Sequence, residues 1–265
     1  MSVYLDLTRE FNQGGSRAIL SSGQAVVLHR LAVMSKDGDW IVRETPEALA
    51  HVRSVLGGRG AKYRYGAPLD HRWMEGGWSA HCGFRLGALR VRTDFVTRPP
   101  RLAASDLRSL WVEQEGAEVP YVDARRLVAL KKTNREKDYA VIGELARRLV
   151  DPQERLLASR SARDIEALCS AQPDLAHALV AERPLLALAS KGMAALERAL
   201  DEERRALMHA NEARLSRYMR AAEAWEAEWP SVDRAISGLP LPEAHEIVVS
   251  RATNVLPFHL PPESA

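Results

Sequence analysis

Hydrophobic and polar positions along the first part of the chain switch repeatedly between helical and strand periods. Leu5, Leu7 and Phe11 fall on or near one face of a helix predicted over residues 3–13, which stops at Gly14-Gly15. Ala18-Ile19-Leu20 is a short apolar run and predicts a buried strand. Helical spacing resumes over Gln24–Leu31, where Ala25, Leu28 and Ala32 share a face. Trp40-Ile41-Val42 predicts the next strand. Thr45-Pro46-Glu47 then opens a helix to about Leu56, with Thr as N-cap and Pro at the first helical position. Residues 59–79 interleave Gly, Arg and aromatics and predict strand pieces and a loop. Ala88–Val96 alternates, with Leu89, Val91, Thr93 and Phe95 on one side and Arg90, Arg92, Asp94 and Val96 on the other. A short helix over 105–111, a strand over Glu118–Val122 and two helices from Asp123 onward follow.

Strand patterns vanish after about Asp151, and the sequence becomes rich in Ala, Leu, Arg and Glu. Ala187–Trp229 predicts one long helix. Trp225 and Trp229, four apart, share a face of it and suit core or interface anchors. The proline-rich residues 238–265 predict an extended tail over the surface. The expected architecture is α+β: a small mixed sheet flanked by helices over residues 1–150, a helical domain over 151–237, and the tail over 238–265.

Composition narrows the class. The 265 residues are 46% apolar and 27% charged, enough for a substantial core. A formal net charge of +2 gives no overall polyanion signal, so any nucleic-acid footprint is local. Cys82 and Cys169 are too few for a disulfide framework or a cysteine zinc site. The N-terminus lacks a secretory pattern, and no apolar run reaches spanning length, so a cytoplasmic protein without membrane contact is expected.

Candidate chemistry concentrates in Ser22–Asp39. Asp37 and Asp39, two apart on a strand, face the same way and can reach one divalent cation or two adjacent ones. Alone, Lys36-Asp37-Gly38-Asp39 reads first as a solvated turn. Asp94 supplies a third carboxylate, and Ser22-Gly23 a turn able to approach a ligand closely. Arg90, Arg92, Arg98 and Arg101 surround Asp94, either as a track for phosphates or as a solvated face. The aromatics of Tyr63–Trp78 suit base stacking or packing on the sheet. His29, His71 and His81 match no compact metal site and are read as structural or solvated.

These segments together resemble the small nucleotidyltransferases of the DNA polymerase β superfamily, in its minimal and toxin-type branch. The resemblance rests on SSGQAVVLHR, the DGD pair, RVRTDFV, and Leu127-Val128-Ala129-Leu130-Lys131 followed by Arg135-Glu136-Lys137-Asp138, and it covers about residues 15–150. It implies Asp37, Asp39 and Asp94 as Mg²⁺ (or Mn²⁺) ligands, with Asp94 helping to deprotonate the attacking hydroxyl. It implies Ser22 and Gly23 as the turn holding an NTP, Lys131 as a phosphate contact, and Asp138 as the acid closing that segment. The implied activity moves an NMP from an NTP to an acceptor hydroxyl on RNA, such as tRNA, or on protein. It also implies a toxin of a toxin–antitoxin or phage-defence module with a cognate antitoxin. Three features depart from the pattern: Ser22 replaces a glycine, Val33-Met34-Ser35 replaces Arg-x-Thr, and Gly38 replaces an apolar residue. An inactive binding or regulatory module and an RNA-binding protein are the alternatives.

Overall fold

The computed structural model describes residues 2–260. Its centre is a five-stranded mixed sheet in the order β1-β2-β5-β4-β3, and the fold is α+β. The strands are β1 (Ala18–Ser21), β2 (Asp37–Val42), β3 (Lys62–Tyr63), β4 (Ala80–Leu86) and β5 (Leu89–Val96). β2 runs parallel to β5, and the other pairs are antiparallel. The chain divides into two compact units, residues 1–122 with 215–265, and residues 123–214. The expected boundary lay at residue 150; residues 123–150 instead group with the helices that follow them, and residues 215–265 with the sheet.

In the first unit, α1 (Ser2–Phe11), α2 (Ser22–Leu28), α3 (Pro46–Gly58), α4 (His71–Glu75) and α5 (Ala104–Glu113) join the sheet. One sheet face is apolar. Leu20, Trp40, Cys82, Val91 and Phe95 are all buried in one core with Leu7 and Phe11 of α1 and Leu49, Val52 and Leu56 of α3. Thr45 caps α3 by accepting from the Ala48 N–H at 3.2 Å, with Pro46 opening the helix, as the sequence suggests. Of the aromatics expected either to stack bases or to pack, Tyr63, Trp73 and Trp78 are buried, while Tyr65 is exposed and meets the Trp229 ring edge-on at 5.8 Å.

Two elements differ from expectation. The predicted strand over Glu118–Val122 reduces to one bridge, Tyr121 to Leu20. Leu20 N–H donates to the Pro120 carbonyl at 2.9 Å and Leu20 O accepts from Val122 N–H at 2.9 Å, but Pro120 has no N–H with which to extend a ladder. The predicted extended tail contains α12 (Leu241–Val255) instead. Its prolines bracket the helix rather than interrupt it. Pro240 is the N-cap and Pro242 lies in the first turn, where a missing N–H costs nothing. Leu241, Ala244, Val248 and Ala252 recur at helical spacing and are buried in the core. Residues 261–265 of the predicted tail lie outside the described residues.

The second unit holds α6 (Ala124–Leu130), α7 (Glu136–Ala146), α8 (Pro152–Ala158), α9 (Ala162–Ala171), α10 (Pro173–Ala178), a 3₁₀ segment (Pro184–Lys191) and the first part of α11 (Met193–Ile236). Its own core gathers Leu156, Ile165, Leu179, Leu186 and Leu196. The rest of α11 belongs to the first unit. There Trp225 is fully buried and donates from Nε1 to the Gly66 carbonyl at 2.9 Å, while Trp229 packs edge-on against it at 5.5 Å. Among the described residues no helix is long and apolar enough to cross a membrane.

Candidate functional site

The second face of the sheet buries Ile19 and Ile41 at one end and is polar at the other, and the register explains the polar end. Asp39 pairs with Asp94 across β2 and β5, and Asp37 pairs with Arg92. Paired residues project to the same side, and so do residues two apart, so Asp37, Asp39, Arg90, Arg92 and Asp94 share one face. On β4, His81 pairs with Asp94 and joins that face. Paired Cα positions on adjacent strands lie roughly 5 Å apart, and residues two apart along a strand about 6.7 Å. The Asp-Gly-Asp stretch is therefore strand, and the turn alternative does not hold.

Several side chains fix this corner. The buried Gln24 of α2 donates from Nε2 to the carbonyls of Ser35 (3.0 Å) and Asp37 (3.1 Å). Tyr4 donates its hydroxyl to the Lys36 carbonyl at 2.6 Å. Burial first, then the charge of Asp37, with Asp39 and Asp94 adding to it, holds the Tyr4 phenol above its ordinary range, so that proton stays in place. Gly38 departs from the family pattern for a steric reason. A Cβ there would lie 2.4 Å from the Trp40 ring and 2.5 Å from the Tyr4 ring.

Ser22 opens α2 with φ 48°, in the left-handed region that a serine rarely adopts. A Cβ at Gly23 would lie 2.3 Å from Ser35 Oγ, so this position accepts only glycine while Ser35 stays put. The turn thus keeps the glycine-like backbone that the resemblance implies, with a serine carrying part of it.

The carboxylates differ in their commitments. Asp94 Oδ1 accepts from His81 Nδ1 at 2.7 Å and from Arg64 Nη1 at 3.1 Å. Asp37 Oδ1 is buried and has no hydrogen-bond partner, and its nearest cation, Arg92 Nη1, stands 3.8 Å away, too far for a hydrogen bond. An acceptor left this way is costly unless something positive reaches it. Among the described residues no three His, Cys, Asp or Glu side chains gather into a ready metal cage. The donor set nevertheless suits a hard divalent cation: three carboxylates on one face, one with an orphaned oxygen.

Sequence reading missed His81, Arg64 and Tyr4 as parts of this corner. His81 is neither solvated nor a bystander, since it holds Asp94. The expected arginine cluster divides. Arg90 and Arg92 share the Asp94 face, whereas Arg98 is bound to Glu44 at 2.6 Å and lies 3.7 Å from Glu75.

Lys131 and Asp138 lie in the second unit and meet there, 3.5 Å apart and both buried. Asp138 also accepts from Thr133 Oγ1 at 2.6 Å and Arg135 Nε at 2.9 Å. Burial opposes its charge, but the Thr133 hydroxyl, Lys131 and Arg135 outweigh it and hold the carboxyl below its usual range.

No family model and no curated protein matches the chain. Among solved structures, a proposed nucleotidyltransferase from H. pylori is similar at 12% identity and a TM-score of 0.39, over 79% of this chain and 94% of that one. JHP933 from Helicobacter pylori is similar at 13% identity and a TM-score of 0.37, over 83% of this chain and 95% of that one.

Proposed function

We propose that the chain is a metal-dependent nucleotidyltransferase that moves an NMP from an NTP to an acceptor hydroxyl on RNA or protein. The observation that carries this reading is the shared sheet face of Asp37, Asp39 and Asp94 beside the Ser22-Gly23 turn. Asp37, Asp39 and Asp94 would hold Mg²⁺ or Mn²⁺, which supplies positive charge to the phosphoryl oxygens when bound. In the reaction the acceptor oxygen bonds to the α-phosphorus of the NTP. The bond from that phosphorus to the bridging oxygen breaks, and pyrophosphate leaves with the electron pair. Asp94 takes the acceptor proton, and His81 and Arg64 orient its carboxylate for that role. The Ser22-Gly23 backbone cradles the triphosphate. Lys131 and Asp138, which the family resemblance implies for phosphate contact, pair with each other inside the second unit.

A toxin role, with an antitoxin partner, belongs to the same proposal and rests on the family resemblance alone. The commitment of Asp94 to Arg64 and His81 favours one competing reading, an inactive binding module in which those pairs are permanent. Incubation with each α-³²P-labelled NTP, Mg²⁺ and total tRNA or cell lysate separates the two, beside an Asp39→Ala control. Label that appears on RNA or protein and disappears with the variant supports the enzyme. A folded protein that labels nothing with any NTP supports the binding module.

A further inference from the structure

The carboxylates occupy one part of the polar sheet face. Toward the edge strand β3 that face becomes cationic. Arg59, Lys62, Arg64, Arg85 and Arg90 line an open cavity of about 580 Å³, and no acidic residue lines it. The register places four of them together: Lys62 pairs with Gly83 and Gly83 with Arg92, Arg85 pairs directly with Arg90, and Arg64 N–H donates to the His81 carbonyl at 2.9 Å, while Arg59 caps the C-terminus of α3. Cations therefore stand on three adjacent strands of one face.

Two of the five are partly neutralised, Arg59 by Glu10 and Arg64 by Asp94. Lys62, Arg85 and Arg90 are exposed, and among the described residues none of them has an acidic partner. Like charges directly opposite on neighbouring strands repel, as Arg85 and Arg90 do here. In a chain of net charge +2 this is a local concentration with no counterpart in the overall composition. The floor of the cavity is Gly83, where a Cβ would lie 3.0 Å from the Val91 carbonyl oxygen and 3.4 Å from Arg64 Cδ. The aromatic residues lining it, Tyr63 and Phe84, are buried and present no face for stacking. Recognition here is of charge along a backbone, not of bases. Arg64 belongs to both regions, lining the cavity while its guanidinium reaches Asp94.

We propose that this groove binds the phosphodiester backbone of a single-stranded RNA and leads it to the Asp94 carboxylate, making RNA the acceptor class. The choice of RNA as acceptor rests on the nucleotidyltransferase reading; the polyanion groove rests on the cations alone. Binding to single strands weakens with salt as phosphate contacts release counterions, with a logarithmic slope of about −0.7 per contact.

The test is fluorescence anisotropy of a short labelled single-stranded RNA with the full chain, titrated across KCl concentrations. The variant is Lys62→Gln/Arg85→Gln/Arg90→Gln, with folding checked by circular dichroism and melting. The expected result is a steep salt dependence for the parent chain, at least a tenfold loss of affinity in the variant, and a slope flatter by about 2 for three lost contacts. Salt-independent binding, or equal binding by a folded variant, overturns the groove. So does polyglutamate that displaces the RNA as well as unlabelled RNA does, since the groove would then serve an acidic protein. Asp39→Asn separates the two ideas. RNA binding that survives in this variant while the parent labels no acceptor leaves the groove standing and removes the enzyme. Labelling of an acceptor by the parent chain together with undiminished RNA binding by the triple variant does the reverse.

Discussion

His81 Nδ1 lies 2.7 Å from Asp94 Oδ1, and because a carboxylate has no proton to give, the imidazole is the donor. In the neutral ring its Nε2 accepts from Ser79 Oγ at 3.1 Å, and that hydroxyl lies 3.1 Å from the Tyr218 hydroxyl. One tautomer and one ring orientation satisfy the whole series. His81→Ala should lower NMP transfer roughly 10–100-fold, the usual cost of removing a group that orients a functional carboxylate. His81→Gln, which keeps a donor, should recover part of the loss. Single-turnover labelling of both variants, with melting curves to confirm folding, checks this. Equal losses in the two would argue that His81 only fills space.

Asp94 itself is the proposed proton acceptor. Asp94→Asn should reduce transfer by about 10²–10⁴-fold, the usual range for a general base. Arg64 and His81 would lose their charged partner, so the same variant should also change the apparent affinity for Mg²⁺. Mn²⁺ binding followed by electron paramagnetic resonance reads this without any turnover.

Gly66 makes a test of His81 from a distance along the chain. Its φ of +156° favours glycine, and a Cβ there would lie 2.4 Å from His81 Cδ2. Gly66→Ala should push the imidazole off Asp94 and cost about 1–3 kcal/mol of stability by overpacking. Urea unfolding measures the cost. Labelling should fall as far as in His81→Ala if the ring position is what matters.

Acid should weaken the first unit through His245. Burial, then the charge of Arg53, pushes its imidazole down from 6.5 to about 4. Nδ1 faces the Tyr63 hydroxyl at 2.7 Å, and that oxygen already accepts from Leu69 N–H at 3.1 Å, so its own proton points at His245. A depressed histidine contributes stability that is present above the unfolded pKa and lost as pH falls through the folded one. Between pH 7 and pH 5 the loss should be roughly 2 kcal/mol. A fall in Tm over that window that shrinks in His245→Asn would bear this out. Asp138, held low in the second unit, loses its contribution only in stronger acid, below the ordinary aspartate range.

The sequence made much of the sheet legible where one strand carried its own evidence. The alternation of Leu89–Val96 placed Asp94 with Arg90 and Arg92, and the register agrees. What stayed hidden depends on neighbours. Period two says which side His81 faces relative to Phe84, but not that Asp94 will stand opposite, because pairing between β4 and β5 is a tertiary choice. The clustering of Lys62 and Arg85 with Arg90 was hidden for the same reason: it follows from strand pairing, which the alternation of one strand does not give. The helix at Leu241–Val255 was masked by prolines read as breakers, when their positions mark its ends. Gly38 shows in the sequence only as a departure from the family pattern, and the rings of Tyr4 and Trp40 show why no larger residue stands there.

The first unit is discontinuous: its sheet comes from the first 122 residues, while Trp225, Val248 and their neighbours in the same core come from beyond residue 215. On the ribosome, the strands bearing Asp37, Asp39 and Asp94 emerge long before the helices that cover their apolar side. The sheet must wait, with its hydrophobic face unsealed, while the entire second unit is translated. Its carboxylates gain their final scaffold only once α12 has emerged.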